Sequence, residues 1–406
     1  MRGLCNKLDA PVSTPIYLDH AATTPVDARV LEAMLPYFSE RFGNASSRQH
    51  AAGRAAQEAV EEAREKVAAL LGADPREIVF TSGATESNNL LLKGVAGAEA
   101  YAKTPRHVVT ACTEHHAVLD PLGRLEAENG FEVTRLSVDE KGAIDLDQLR
   151  DLLNRKPRLV TLMHANNELG SLHPIDEIGA LCRAAGVLFH TDAAQSFGKE
   201  AIDVDAFQVD ALSLSGHKLY APKGVGVLYL RRRRPRVRCQ PLFDGGGHER
   251  GARSGTLNVP GIVALGAAAE ICSREMEADG SRIGQLRDRL ELGLIEGVGG
   301  IEVNGDRDRR LAGLTNLSIE GISAESLLTR LDGVMASTSA ACTSASLQPS
   351  HVLRAIGCDP ERVEGSIRLS LGRSTSPVEV DSALEALIGA IDTERREGPR
   401  DLCELG

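Results

Sequence analysis

Between residues 78 and 230 the chain alternates short apolar runs with helical segments, and no other feature constrains its fold as tightly. The runs fall at 78–80, 108–109, 159–162, 187–189, 211–214 and 225–230, and segments of helical character at 85–95, 145–153 and 175–185 lie between most of them. Strands with few polar positions need cover on both faces, and strands separated by helices pair mainly in parallel. The predicted fold class is therefore α/β, a mainly parallel sheet with helices on both faces, in which ligands sit at the carboxyl ends of the strands. Ahead of it, Val60, Ala63, Val67 and Leu70 recur at i, i+3, i+7 and i+10, Glu62 and Lys66 form an i,i+4 pair, and Gly72 stands where a helix would be capped.

After about residue 275 the texture changes to two long helical segments, short strands at 301–303, 317–319 and 367–371, and a final helix from Pro377. This reads as a smaller α+β domain. Its expected extent is 1–27 and 276–406, around a large domain at 28–275. With 406 residues, 42% hydrophobic and 25% charged, the chain has material for both cores, and disorder and coiled coil are excluded.

The net charge of −11 and the absence of Trp argue against a protein that grips a nucleic-acid backbone or stacks bases. Residues 231–238 (RRRRPRVR) follow a strand directly and contain a proline, so they are expected to form a solvated loop. Direct nucleic-acid binding is not expected. No stretch approaches the roughly 20 apolar residues of a membrane helix, and residues 1–15 lack a hydrophobic signal core, so a cytoplasmic protein without membrane contact is expected. The eight cysteines, at 5, 112, 182, 239, 272, 342, 358 and 403, form no CxxC pair and no tight cluster with histidine. Neither a disulfide framework nor a metal site is expected, and any important cysteine acts singly.

Three segments can carry chemistry. In residues 77–92 (EIVFTSGATESNNLLL) an apolar strand meets a helix start through Thr81, Ser82 and Gly83, a place where free amides bind an anion such as a phosphate or simply receive a cap. In residues 187–195 (VLFHTDAAQ), Asp192 closes an apolar strand, either as an N-cap or as the partner of a buried cation. In residues 211–218 (ALSLSGHK), Lys218 lies just past another strand, where a lysine is a candidate for Schiff-base chemistry. An anion-binding helix start, a carboxylate and a lysine occurring together match the needs of pyridoxal phosphate.

The motifs then carry a resemblance. Residues 17–25 (YLDHAATTP), 43–47 (GNASS), 80–89 (FTSGATESNN), 113–120 (TEHHAVLD), 166–170 (NNELG), 215–226 (SGHKLYAPKGVG), 245–256 (GGGHERGARSGT) and 341–350 (ACTSASLQPS) resemble those of cysteine desulfurases. The similarity is to the NifS/IscS group, within the class V aminotransferase-like, fold-type I pyridoxal phosphate enzymes, and it runs in order from about residue 15 to about residue 376.

The resemblance implies that Lys218 holds pyridoxal 5'-phosphate as a Schiff base, that Asp192 pairs with the pyridine nitrogen, and that Gln195 contacts the ring phenolate oxygen. His115, chosen over His116 by the TEH motif, would stack on the ring face. Ala84, Thr85, Ser215 and His217 would bind the cofactor around its phosphate, with Thr256 reaching it from the neighbouring subunit of a homodimer. Asn167 would touch cofactor and substrate, and Arg368 would take the substrate carboxylate. Cys342 would be the nucleophile. It lies in residues 336–347, a run of small residues expected to form an exposed, mobile loop, whereas Cys112 and Cys182 sit in strand and helix patterns and read as inert. Ser339 stands where the family has glycine.

The implied reaction converts L-cysteine to L-alanine and leaves a persulfide on Cys342 for a sulfur-acceptor protein serving iron–sulfur clusters, tRNA or DNA thiolation, or a cofactor. The chain ends at DLCELG without the long aromatic-containing tail of the housekeeping branch, which leaves that acceptor open. Two other readings stand beside it. One is a selenocysteine lyase or other β-lyase using the same cofactor; the other, from a different class, is a sulfur-relay or nucleic-acid-modification subunit acting by binding.

Overall fold

Each apolar run of the first half becomes a strand of one seven-stranded sheet. The computed structural model describes residues 15–338 and 349–399. Its large sheet comprises β1 (Ile78–Thr81), β2 (His107–Ala111), β3 (Glu132–Leu136), β4 (Leu159–Thr161), β5 (Leu188–Asp192), β6 (Ala211–Ser215) and β7 (Gly226–Leu230), in the order β1-β7-β6-β5-β4-β2-β3. The pairs among β2 to β6 are parallel, while β7 runs antiparallel to both β6 and β1. β3 is the strand that the apolar runs do not announce. It lies at the sheet edge, where its alternating EVTRL pattern buries only every second or third residue.

Helices cover both faces. The expected amphipathic helix is α1 (Ala51–Leu71), with Val60, Ala63 and Val67 buried, Lys66 2.8 Å from Glu62, and Gly72 closing it in the left-handed conformation at φ 65°. Behind the strand ends, α2 (Ala84–Gly97) and α3 (His116–Asn129) pack side by side, and α4 (Ile175–Ala185) lies against β5.

In the second half the expected pair of long helical segments is replaced by one continuous helix, α5 (Val259–Gly297), and several short ones. The first half of α5 buries Val259, Ile262, Leu265 and Ala269 in the core of the large sheet; its last turns bury Leu286, Leu290 and Leu294 in a second core. That second core is closed by α7 (Pro377–Glu397), whose N-terminus carries a capping box between Ser376 and Glu379. Between them lies an antiparallel sheet of β8 (Ile301–Val303), β9 (Leu314–Ile319), β10 (Ser337–Thr338) and β11 (Ser366–Ser370), in the order β10-β11-β9-β8. A short α6 (His351–Ala355) precedes β11.

The chain's first described residues link the two parts. Ile16 and Tyr17 pair in parallel with Val334 and Met335, Leu18 is buried in the second core, and the next residues cross to the ends of β5 and β6. Among the described residues, no helix is long and apolar enough to cross a membrane.

Candidate active site

The carboxyl ends of β5 and β6, the start of α2 and the N-terminal crossing segment enclose a cavity of about 530 Å³. Its wall includes Gly83, Ala84, Thr85, His115, Asn167, Asp192, Gln195, Ser215, His217 and Lys218, so among the described residues the structure brings together all the cofactor and substrate candidates but Arg368 and Thr256.

At one end is the start of α2. Gly83 precedes it in a conformation only glycine adopts readily, at φ 156°, and a Cβ there would stand 3.5 Å from Ser215 Oγ, so the helix start and the end of β6 lie close together. Glu86, in the first turn of α2, accepts from the Ser82 amide at 2.8 Å and pairs with Arg253 at 2.8 Å. His217 shares a hydrogen bond with Thr23 Oγ1 at 3.2 Å, and burial together with the charges of Lys218, Lys223 and Lys199 lowers its pKa to about 4, so it is a neutral imidazole at pH 7.

Asp192 ends β5, 5% exposed. One carboxylate oxygen accepts from the Ala194 amide at 2.9 Å, closing the turn that follows the strand; the other accepts from Asn88 Nδ2 at 2.6 Å. No helix follows Asp192 and Asn88 carries no charge, so the side chain acts here neither as a helix N-cap nor as the partner of a buried cation of this chain. Asn88 was not singled out from sequence. It lies one helical turn beyond Ala84, and its partner is 104 residues away, so only the i,i+4 spacing from the anion-binding turn could have drawn attention to it.

Lys218 follows β6 in a short 3-10 turn, and its Nζ donates to the carbonyls of Ala21 and, at 2.7 Å, Ala22. Gln195 Nε2 donates to the same Ala21 carbonyl at 2.8 Å. The YLDHAATTP segment therefore supplies backbone acceptors for the lysine, a role that its side-chain types do not advertise. His115 caps α3 by accepting the Ala117 amide on Nδ1 at 3.0 Å, and burial, reinforced by the charge of Lys218 against that of Asp192, lowers its pKa. Its neighbour His116 lies outside this cavity and contacts Asp120 and the ring of His351. Behind the histidine, Glu114 is fully buried; burial, with Asp192 adding to it, holds its carboxyl well above the ordinary range, and one oxygen accepts from the Met163 amide at 2.8 Å.

Of the described ones, Arg368 and Thr256 are not part of this wall. Arg368 on β11 is 1% exposed; it donates to the Asn167 carbonyl at 2.9 Å and to Asp19 at 2.9 Å, so it reaches the cavity's edge through Asn167. Thr256 is exposed on the surface of this single chain. Cys342 lies outside the described residues. Cys112 and Cys182 have thiol pKa values raised by burial, as befits inert positions. Among the described residues, no group of three or more His, Cys, Asp or Glu side chains could hold a metal ion.

The sequence pattern of the family described as Aminotransferase class-V matches residues 16–383. The chain belongs to that family. Cysteine desulfurase IscS of Anaeromyxobacter sp. (strain Fw109-5) is 53% identical over 385 residues, 95% of this chain and 94% of that one. Among solved structures, a NifS-like protein superposes with a TM-score of 0.86 at 37% identity, covering 94% of this chain and all of the other. A second, SspA in complex with cysteine, gives 0.77 at 39% identity, covering 89% and 99%. These place the chain in the NifS/IscS group of fold-type I class-V enzymes.

That family implies pyridoxal phosphate, and the cavity's donor set fits it. A helix start with Ser215 and His217 beside it suits a phosphate, a buried carboxylate held on two sides suits a protonated pyridine nitrogen, and a lysine between them suits an aldehyde. Gln195 Oε1 is buried without a hydrogen-bond partner at the same wall, a polar atom that a bound polar group would satisfy.

Proposed function

We propose that this class-V enzyme is a cysteine desulfurase: it converts L-cysteine to L-alanine and leaves the sulfur as a persulfide on Cys342. The observation that carries the reading is the convergence of Lys218, Asp192 and the start of α2 on one cavity lined also by Asn167, whose carbonyl accepts from Arg368. Pyridoxal phosphate would be held at its phosphate by residues 84–85, Ser215 and His217, at its pyridine nitrogen by Asp192, at its phenolate oxygen by Gln195 and on its face by His115. When bound, it takes up the electron pair released at the substrate carbon.

The protein's own groups do the rest. Arg368 offers a planar pair of N–H donors to the substrate carboxylate, beside Asn167. The Lys218 amine, held by two carbonyls, moves a proton from the substrate Cα. The Cys342 thiolate attacks the substrate sulfur, an S–S bond forms as the C–S bond breaks, and the carbon gains a proton to give alanine. L-Cysteine plus a thiol becomes alanine plus a persulfide, with no external oxidant. The persulfide then passes to an acceptor protein.

We also take the chain to divide into a large domain at 28–275 and a small one formed by 1–27 and 276–406, and to act as a cytoplasmic homodimer. Exposed Leu35, Phe38 and Phe42, each more than half accessible, support a subunit contact, and Thr256, exposed on one chain, would reach the partner's cofactor phosphate across it.

The test is Cys342→Ser in single-turnover assays with L-cysteine. A hydroxyl is a poor nucleophile at neutral pH, so alanine release should fall by about a thousandfold or more while the cofactor's absorption still changes on cysteine addition; Cys112→Ser and Cys182→Ser should turn over normally. Full activity in Cys342→Ser, with persulfide on another cysteine or on none, would return the β-lyase reading.

A further inference from the structure

Just past Lys218, Tyr220 is held in a backbone conformation that a tyrosine rarely adopts. Its φ is 66°, in the left-handed region, where glycine is the ordinary occupant and a bulky side chain is an outlier. Such a residue persists only where its surroundings over-determine it. Here they hold it at four points. The Tyr220 amide donates to Thr24 Oγ1 at 2.8 Å, and its carbonyl accepts from the Asp27 amide at 3.0 Å. Its hydroxyl accepts from the Arg373 amide at 2.5 Å, and the Arg373 guanidinium lies 4.4 Å from the centre of its ring.

The backbone contacts fix the turn that carries Lys218. Thr24 Oγ1, which accepts from the Tyr220 amide, donates to the His217 carbonyl at 3.0 Å, so one buried hydroxyl spans residues 217 and 220 on either side of the lysine. The side-chain contacts reach the second core. Arg373 follows β11, the strand of Arg368, and its guanidinium bonds Asp27 at 3.0 Å and Asp279 of α5 at 2.8 Å. Its carbonyl accepts from Arg282 of α5 at 2.6 Å. Tyr220 thus joins the Lys218 turn directly to the anchored continuation of the strand that carries Arg368. A residue needed only to turn the chain would be glycine, and one needed only to fill space has no use for a hydroxyl set against a backbone amide.

We propose that Tyr220 is a positioning residue for the reaction: it sets the turn bearing Lys218 against the strand bearing Arg368, so that the amine that moves the Cα proton and the guanidinium that takes the substrate carboxylate keep one separation. The proposal rests on the roles of Lys218 and Arg368 in the desulfurase reading above. It concerns the step that needs both groups, proton transfer from a carboxylate-bound substrate, where a misplacement of about 1 Å costs up to about a hundredfold in rate. Cofactor loading needs Lys218 without Arg368 and is left to other residues.

The holoenzyme variants Tyr220→Gly and Tyr220→Phe test it by single-turnover release of deuterium from L-cysteine labelled at Cα, followed by mass spectrometry. Glycine takes the left-handed turn freely but gives up both side-chain contacts. At saturating L-cysteine, Tyr220→Gly should release deuterium about tenfold or more slowly, with KM within about threefold of the parent and full cofactor loading. Tyr220→Phe keeps the ring on Arg373 and loses only the acceptor, so it should be about threefold slow. A tyrosine that merely fills space would show a lowered melting temperature with unchanged deuterium release. Parent-like release in Tyr220→Gly, or a loss of cofactor loading that parallels the loss of rate, would overturn the proposal. If Tyr220→Gly does not fold, Tyr220→Phe decides, and parent-like release there overturns it. Removal of the Cα proton precedes the step at sulfur, so this readout is independent of Cys342. A parent enzyme that releases deuterium without forming L-alanine would instead overturn the desulfurase reading.

Discussion

Asp192 carries two duties on two oxygens, and that division makes its chemistry separable from its structural role. Asparagine in its place can still accept from Ala194 through its amide oxygen, while its NH2 group turns toward Asn88. Asn88 can adapt, because its Oδ1 has no hydrogen-bond partner and an amide flip offers that oxygen to the incoming N–H. Asp192→Asn should therefore fold with stability within about 1 kcal/mol of the parent. What it loses is the negative charge that would keep a pyridine nitrogen protonated, and alanine production should fall by at least about a hundredfold, roughly 2.7 kcal/mol of barrier. Thermal melting, the cofactor absorption of the purified protein and single-turnover alanine release check the three parts; near-normal turnover would leave Asp192 with a structural role alone.

At the scale of elements, the site depends on β7 passing close behind the start of α2. Gly226 pairs with Thr81 on one side and Ser215 on the other, between the strand that leads to the helix start and the strand that leads to Lys218. A Cβ built on it would stand 2.5 Å from Gly83 Cα and 2.6 Å from the Leu214 carbonyl, both backbone atoms that cannot turn aside. Gly226→Ala should destabilise the protein by about 1–3 kcal/mol and weaken pyridoxal phosphate binding about tenfold or more, by prising the helix start away from Ser215; absorption titration of the apoprotein and denaturant unfolding measure the two. This passage was legible in sequence only as a glycine in a motif. The strands whose apolar runs are buried on both faces were readable locally, as were α1 with its Gly72 stop and the helix Leu146–Leu153. β3 was not, because an edge strand half in water reads like a polar connection. The continuous α5 was not either: its apolar stripe leaves one core near Cys272 and enters the other at Leu286, and the polar residues between resemble a break. Lys218, Asp192 and Arg368 could be picked out by motif, but Asn88 and the Ala21 carbonyl owe their roles to partners more than 100 residues away, which no local pattern encodes.

Over the whole molecule, the buried titratable groups set how the fold responds to acid. Among the described residues eight histidines have lowered pKa values, with burial the leading cause in each: His190 to about 3, His20, His164 and His217 to about 4, and His107, His115, His173 and His351 in the same direction. In the unfolded chain each takes its proton near pH 6.5, so between there and the lowered values the unfolded state binds more protons, and stability falls as pH falls. Four buried carboxyls act in the opposite sense. Glu114, Glu168, Glu200 and Asp210 are raised by burial, hold protons in the folded state that the unfolded state has released, and so lose stability as pH rises above the ordinary carboxylate range. His20, His164, His190 and His217 stay uncharged in the folded state through most of the window from about pH 6.5 to 4.5, the other four histidines add in the same direction, and each net proton is worth about 1.4 kcal/mol per pH unit. Below that window the carboxylates lowered by arginine partners, such as Asp27 beside Arg29 and Arg373, add to the loss in the same direction. Denaturant midpoints measured at constant ionic strength should therefore drop steadily from pH 6.5 to pH 4.5 and continue down below it. Replacing His190 with Asn, which cannot charge, should flatten the slope by close to one proton; an unchanged slope in that variant, or a midpoint that rises on acidification, would show that the carboxyls and not the histidines govern the acid limb.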